Sequence, residues 1–173
     1  MALKAATKDF LSFLRQHPEI RNQIRAAPGR TLLYAGSFFK PMWKEIADYK
    51  RAHPEVADKQ MLPDVLVRIT APGTGYLSLL AYVQDLERQV PWQPDGFTLW
   101  RALSGIFAAN ATGPVSFQIG SGVHAGQKVF AATEASVLAR NPNVDPTTKD
   151  LIAYFQRCIQ SKQADINLGF ISA

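Results

Sequence analysis

Residues 97–122, FTLWRALSGIFAANATGPVSFQIGSG, hold the transition that decides the fold. Phe97, Trp100, Leu103, Ser104 and Phe107 recur every three to four residues, the spacing that gathers side chains on one face of a helix. Gly113-Pro114 stops that helix, because proline cannot continue it and glycine costs it order. VSFQIGSG then reads as a short apolar strand.

Downstream, HAGQ is a loop and KVFAATEASVL a second late strand, at least in its first half. VDPTTKDLIAYFQRCIQSK is a final helix opened by Asp-Pro, and DINLGFISA a tail or short strand. Upstream, KAATKDFLSFLRQHPEIRNQIRAA carries Phe10, Leu11, Phe13, Leu14, Ile20 and Ile24 at helical spacing, interrupted at His17-Pro18. It predicts two short amphipathic helices ending at Pro28-Gly29. RTLLYAGSF is a buried strand closed by Gly36. KPMWKEIADYKRAHP is a helix with Trp43, Ile46 and Tyr49 along one face, stopping before Pro54. MLPDVLVRITA is open between strand and helix, and a helix spans Tyr76 to Gln89, stopped by Pro91. Helices dominate the first half and strands alternate with helices in the second. The expected class is α/β: a helical N-terminal part (residues 1–30) on a small, mainly parallel sheet with flanking helices (residues 31–173), in one compact domain.

Composition narrows the chemistry. The lone Cys158 excludes an intrachain disulfide and any multi-thiolate zinc site, and on the apolar face of the last helix it reads as a small buried hydrophobe. His17, His53 and His124 are far apart with no metal-ligand spacing among them. The net charge of +5 invites a nucleic-acid reading, but the basic residues are scattered and direct nucleic-acid binding is set aside. No apolar run is long enough to span a membrane, and Lys4, Lys8, Asp9 and Arg15 break up any secretion-signal core. TAPGTGYLS lacks the lysine of a phosphate loop, and AGSFFKP lacks the histidine pair of a nucleotidyltransferase; ordinary turns explain both.

Glu134 is the only negative charge in KVFAATEASVLARN. A carboxylate among apolar neighbours is either a solvent-facing residue of an edge strand or a buried group with a task, since an unpaired charge in low dielectric costs several kcal/mol. One such task is stabilising an oxocarbenium-like centre as a glycosidic bond breaks, with aromatic planes beside it to stack a flat heterocycle. Tyr34 and Trp100 are the candidate planes and Ser104 a hydroxyl partner.

The segment TLWRALSGIFAANATGPVSFQIGSG…KVFAATEASVL resembles the core of the ADP-ribosyl cyclase / NAD glycohydrolase family. That family has a Trp-x-x-x-Ser helix followed by Phe-Ala, here Trp100, Ser104 and Phe107-Ala108, and then a strand holding the catalytic glutamate, here Glu134. Tyr34 stands where the family has an aromatic at the end of an early strand, often Trp. Met61–Leu66 stands in place of a Thr-Leu-Glu-Asp segment, with Pro63 replacing the acidic residue before Asp64. The resemblance covers residues 31–141.

It implies an ADP-ribosyl cyclase-like fold and cleavage of NAD or NADP at the nicotinamide–ribose bond. Cyclase activity is not expected, because Pro63 replaces the acidic residue that bears on it. Glu134, Trp100 and Ser104 would be catalytic, while Tyr34, Phe130, Thr133 and Asp64 would bind substrate. No cofactor or metal is implied. The single cysteine points to disulfide-free bacterial members. Some of those are toxin domains of larger delivered proteins that act in a target cell's cytoplasm and are held in check by an immunity protein. The alternatives are a nucleic-acid-cleaving toxin, and a non-enzymatic binding or immunity module in which Trp100 and Glu134 are packing and surface.

Overall fold

The computed structural model describes residues 2–35, 46–119, 133–160 and 169–172. The two strands expected from RTLLYAGSF and VSFQIGSG form as β1 (Leu32–Ala35) and β2 (Ser116–Ile119), paired in parallel with Leu32 opposite Ser116 and Ala35 opposite Ile119. Leu32 and Leu33 are both buried, so β1 is covered on both faces, as parallel strands are. The C-terminal segment supplies β3 (Gly169–Ser172), antiparallel to β2, in the order β1-β2-β3. The sheet is therefore mixed rather than mainly parallel. A helical crossover sets β2 parallel to β1, and β3 takes the other edge of β2 in the opposite sense.

Helices make up most of the rest. α1 (Ala5–Gln16) and α2 (Pro18–Gln23) break at His17, because proline fits the first turn of a helix and clashes in its interior. α3 (Ile46–Ala52) is the described part of the next expected helix and stops before Pro54. Pro41 and Trp43 lie outside the described residues, as do the side chains of Ile46 and Tyr49. The ambiguous MLPDVLVRITA contains a helix, α4 (Leu62–Leu66), whose first turn is prepared by Pro63 and by an Asp64 carboxyl that accepts the Met61 N–H at 2.9 Å.

The helix expected from Tyr76 begins later, as α5 (Leu79–Gln89). Ser78 caps it by accepting the Ala81 N–H at 3.1 Å, while Tyr76 closes a turn against Ala71. α6 (Phe97–Ala109) follows a wide turn at Trp92–Gly96 and ends before Gly113-Pro114. Gly113 has φ +75°, and a Cβ there would stand 3.4 Å from the Gly29 nitrogen, so only glycine fits this crossing. α7 (Ala135–Arg140) and α8 (Pro146–Gln160) complete the chain ahead of β3.

One expectation is corrected directly. Thr133 and Glu134 are helical, winding straight into α7, and Glu134 has φ −60° and ψ −44°. Glu134 is therefore not carried on a strand. The run Ala135-Ser-Val-Leu-Ala-Arg140 buries Ala135 and Leu138, one helical turn apart, and is rich in the strong helix formers Ala, Leu and Arg. Residues 128–132, where the strand was placed, lie outside the described residues.

The N-terminal helices share one core with β1, β2 and helices α4 to α8. Phe10, Leu14, Ile20 and Ile24 join Leu66, Leu79, Leu99, Leu103, Phe107 and Phe155 in one apolar cluster. Phe10 meets Tyr82 of α5 edge-on at 5.1 Å, while Phe107 fills the centre from α6. Burying one such ring stabilises the fold by about 2–3 kcal/mol. Among the described residues no helix is long and apolar enough to cross a membrane.

Candidate active site

The site is built where α6 meets the entry to α7. Trp100 and Ser104 are four residues apart on α6 and therefore occupy one face, one turn apart. Both are buried, as are Leu103 and Phe107 on the same side. Opposite them, the Thr133 methyl packs on Gly105, so closely that a Cβ on the glycine would lie 3.3 Å from it. This contact brings the Thr133-Glu134 step down on α6.

Glu134 is only 7 % exposed. Among the described residues its Oε2 has no hydrogen-bond partner, and neither does the buried Oγ1 of Thr133 beside it. Burial pushes the Glu134 carboxyl up to about 8, while the Ser104 hydroxyl, its hydrogen-bonding neighbour, pulls the other way. Among the described residues no cationic side chain forms an ion pair with it. Burial thus favours the neutral form of the group, and an arriving positive charge would favour its ionised form. Two adjacent buried oxygens without partners are uncommon in a finished core, where nearly every polar atom is bonded.

The expected site residues divide into three groups. Glu134, Ser104 and Thr133 come together, and Trp100 shares the Ser104 face, with much of its ring committed to the core. Tyr34 lies in β1, its backbone opposite Gln118; its side chain, like all of Phe130, lies outside the described residues, as does the Cys158 side chain. Asp64 has another task. Its Oδ2 takes the Lys50 ammonium at 2.8 Å as well as the Met61 N–H, which ties α3 to α4. Among the described contacts nothing joins Asp64 to Glu134.

Sequence reasoning missed the residues that hold this geometry. Asn141, directly after α7, is buried, and its Nδ2 donates to the carbonyls of Ala108, Ala109 and Ala111 at 2.9–3.1 Å. The Ala108 carbonyl also takes backbone N–H groups, whereas those of Ala109 and Ala111 have no other donor among the described hydrogen bonds. The helix bearing Ser104 and the helix entered by Glu134 are therefore fastened at one end by Asn141 and in the middle by Gly105. An asparagine immediately after a helix was the only available signal. Asp95 is the other omission: fully buried, its Oδ2 accepts the Lys4 N–H at 2.8 Å and the Thr7 hydroxyl at 2.6 Å, capping α1 from a distant part of the chain.

No protein-family model, curated protein or solved structure matches this chain.

Proposed function

We propose that the protein is an NAD(P)+ glycohydrolase that releases nicotinamide and ADP-ribose, or its 2′-phosphorylated form. The observation that carries this reading is the buried Glu134 carboxyl, hydrogen-bonded to the Ser104 hydroxyl and with its Oε2 unpartnered among the described residues, facing the helix side that also presents Trp100.

The substrate's nicotinamide ring is a cation, and its arrival next to Glu134 favours loss of the carboxyl proton. As the C–N bond breaks, nicotinamide leaves with the bonding electron pair and becomes neutral. The positive charge passes to the ribosyl centre, where the Glu134 carboxylate faces it in low dielectric. Ser104 holds the carboxylate in orientation. Water adds to the ribosyl carbon and gives up a proton, completing hydrolysis. Binding and charge stabilisation come from side chains alone in this scheme, with NAD(P)+ as substrate. A target cell's cytoplasmic NAD pool and a neutralising partner protein belong to the same reading.

The test is to incubate purified protein with NAD+ and with NADP+ and quantify nicotinamide. Release by the wild type, reduced by about a hundredfold or more in Glu134→Gln, is the expected result. Intact dinucleotide with folded wild type, or full activity in Glu134→Gln, sinks the proposal.

A further inference from the structure

A second feature, sharing no residue with the Glu134 cluster, lies at the far end of α6. Asn110, just past that helix, donates from Nδ2 to the carbonyls of Arg21 and Ile24 and so pins the end of α2. Between α2, Gln60 and the end of α4 opens a cleft of about 570 Å³, a volume in the range of small-molecule sites. Its apolar floor is formed by Ala26, Val65 and Ile69, all buried. Its rim carries Arg25 and Arg68, and no acidic residue lines it among the described residues.

Both arginines sit just beyond a helix C-terminus, where such side chains commonly bond the last carbonyls. Here they do not. The carbonyls of Arg21 and Ile24 are taken by Asn110, and those of Val65 and Leu66 by the N–H groups of Arg68 and Ile69. Among the described residues neither guanidinium has an ion pair or a side-chain hydrogen bond. Gln60 turns its Oε1 to the Ala27 N–H at 2.6 Å, which leaves its amide N–H groups as further donors. The cleft thus offers donors and positive charge over an apolar floor. Guanidinium forks match phosphate oxygens in geometry and charge, and two of them on one rim can grip a dianion.

We propose that this cleft is a binding site for a small phosphorylated molecule, with Arg25 and Arg68 holding the phosphate and Val65 and Ile69 supporting its less polar part. The inference stands apart from the glycohydrolase reading.

Titration calorimetry at low salt with AMP, inorganic pyrophosphate and adenosine tests it. AMP and pyrophosphate are expected to bind and adenosine not. Arg25→Ala and Arg68→Ala should each weaken AMP about tenfold, the double variant should abolish binding, and added salt should weaken it in the wild type. Both side chains are exposed, so circular dichroism should show the variants folded. Three results overturn the proposal: adenosine binding as well as AMP, AMP and pyrophosphate affinity unchanged in the folded double variant, or binding of a single-stranded oligonucleotide with none of AMP or pyrophosphate.

Discussion

Thr133 rests its methyl group on Gly105, so closely that a Cβ on the glycine would lie 3.3 Å from it and the threonine would have to give slightly. The approach sets how near Glu134 comes to Ser104, so its effects on stability and on chemistry can be separated. Gly105→Ala adds helix propensity worth about 1 kcal/mol and asks Thr133 to give by a few tenths of an ångström. The expected outcome is a thermal midpoint within a few degrees of wild type, with nicotinamide release reduced at least several-fold. Gly105→Leu, which cannot be accommodated by so small a shift, should lower both. Unchanged turnover in folded Gly105→Ala removes this contact from the site.

Glu134 makes stability depend on pH in a definite direction. Its folded value of about 8 lies above its ordinary 4.5, so between those limits the folded state holds a proton that the unfolded chain has lost. Stability contributed in this way is present at low pH and is lost as pH rises toward 8. Glu134→Gln has no such dependence. The variant should therefore gain on the wild type from pH 5 to pH 8 and level off above, by on the order of a few kcal/mol. Parallel urea melts of the two proteins across pH 5–9 measure it; parallel curves would falsify the burial of a neutral carboxyl.

The same proton governs turnover. If the ionised carboxylate is the working form, kcat/KM reports the free enzyme and should rise with pH through a limb near 8. In the complex the cationic ring opposes protonation, so the limb in kcat should lie at lower pH. Initial rates of nicotinamide release between pH 5.5 and 9 check both, and a profile flat across this range contradicts the assigned role.

Asn141 should be far more sensitive than its position after a helix suggests. Asn141→Leu removes the side-chain donor from three carbonyls at the end of α6 and leaves that of Ala111, in a buried place, without a donor among the described residues. A loss of roughly 2–4 kcal/mol in urea denaturation is expected. Asn141→Asp removes the donors and buries a charge, and should be worse at pH 7 than at pH 4.

Asp95 has the opposite pH signature. The Thr7 hydroxyl, with the Lys4 N–H, holds its carboxyl below the ordinary value. Its contribution is then complete above about pH 4 and disappears as pH falls through the lowered value. Thr7→Val should flatten part of the acid limb of thermal stability and lower the midpoint by roughly 2–6 °C at neutral pH.

Much of the helical framework was legible because it is written in local spacing. Phe10 and Leu14, or Leu99, Leu103 and Phe107, announce their faces by recurrence, and proline marks where α1, α3 and α5 must stop. The β1 and β2 strands were likewise visible as short apolar runs between breakers. Boundaries were less so: Ser78, by capping α5, moved its start past Tyr76. In the site, Trp100 and Ser104 were readable as a helical pair, and Glu134 as a carboxylate out of place. That Glu134 enters a helix was hidden, because the β-prone Val129, Phe130 and Thr133 before it outweighed the helix-forming Glu134-Ala135 in the strand reading.

The amino-acid sequence by itself determined which residues prefer helix or strand, where the chain must turn, and which single carboxylate lay among apolar neighbours. Only the tertiary structure decided that this carboxyl is buried with no ion-pair partner among the described residues, that Gly105 and Asn141 fasten its helix to α6, and that Asp64 is spent on Lys50. The physical reason is range. Propensity and periodicity act over a few residues, whereas desolvation, close approach and hydrogen-bond satisfaction depend on what distant segments bring to the same place.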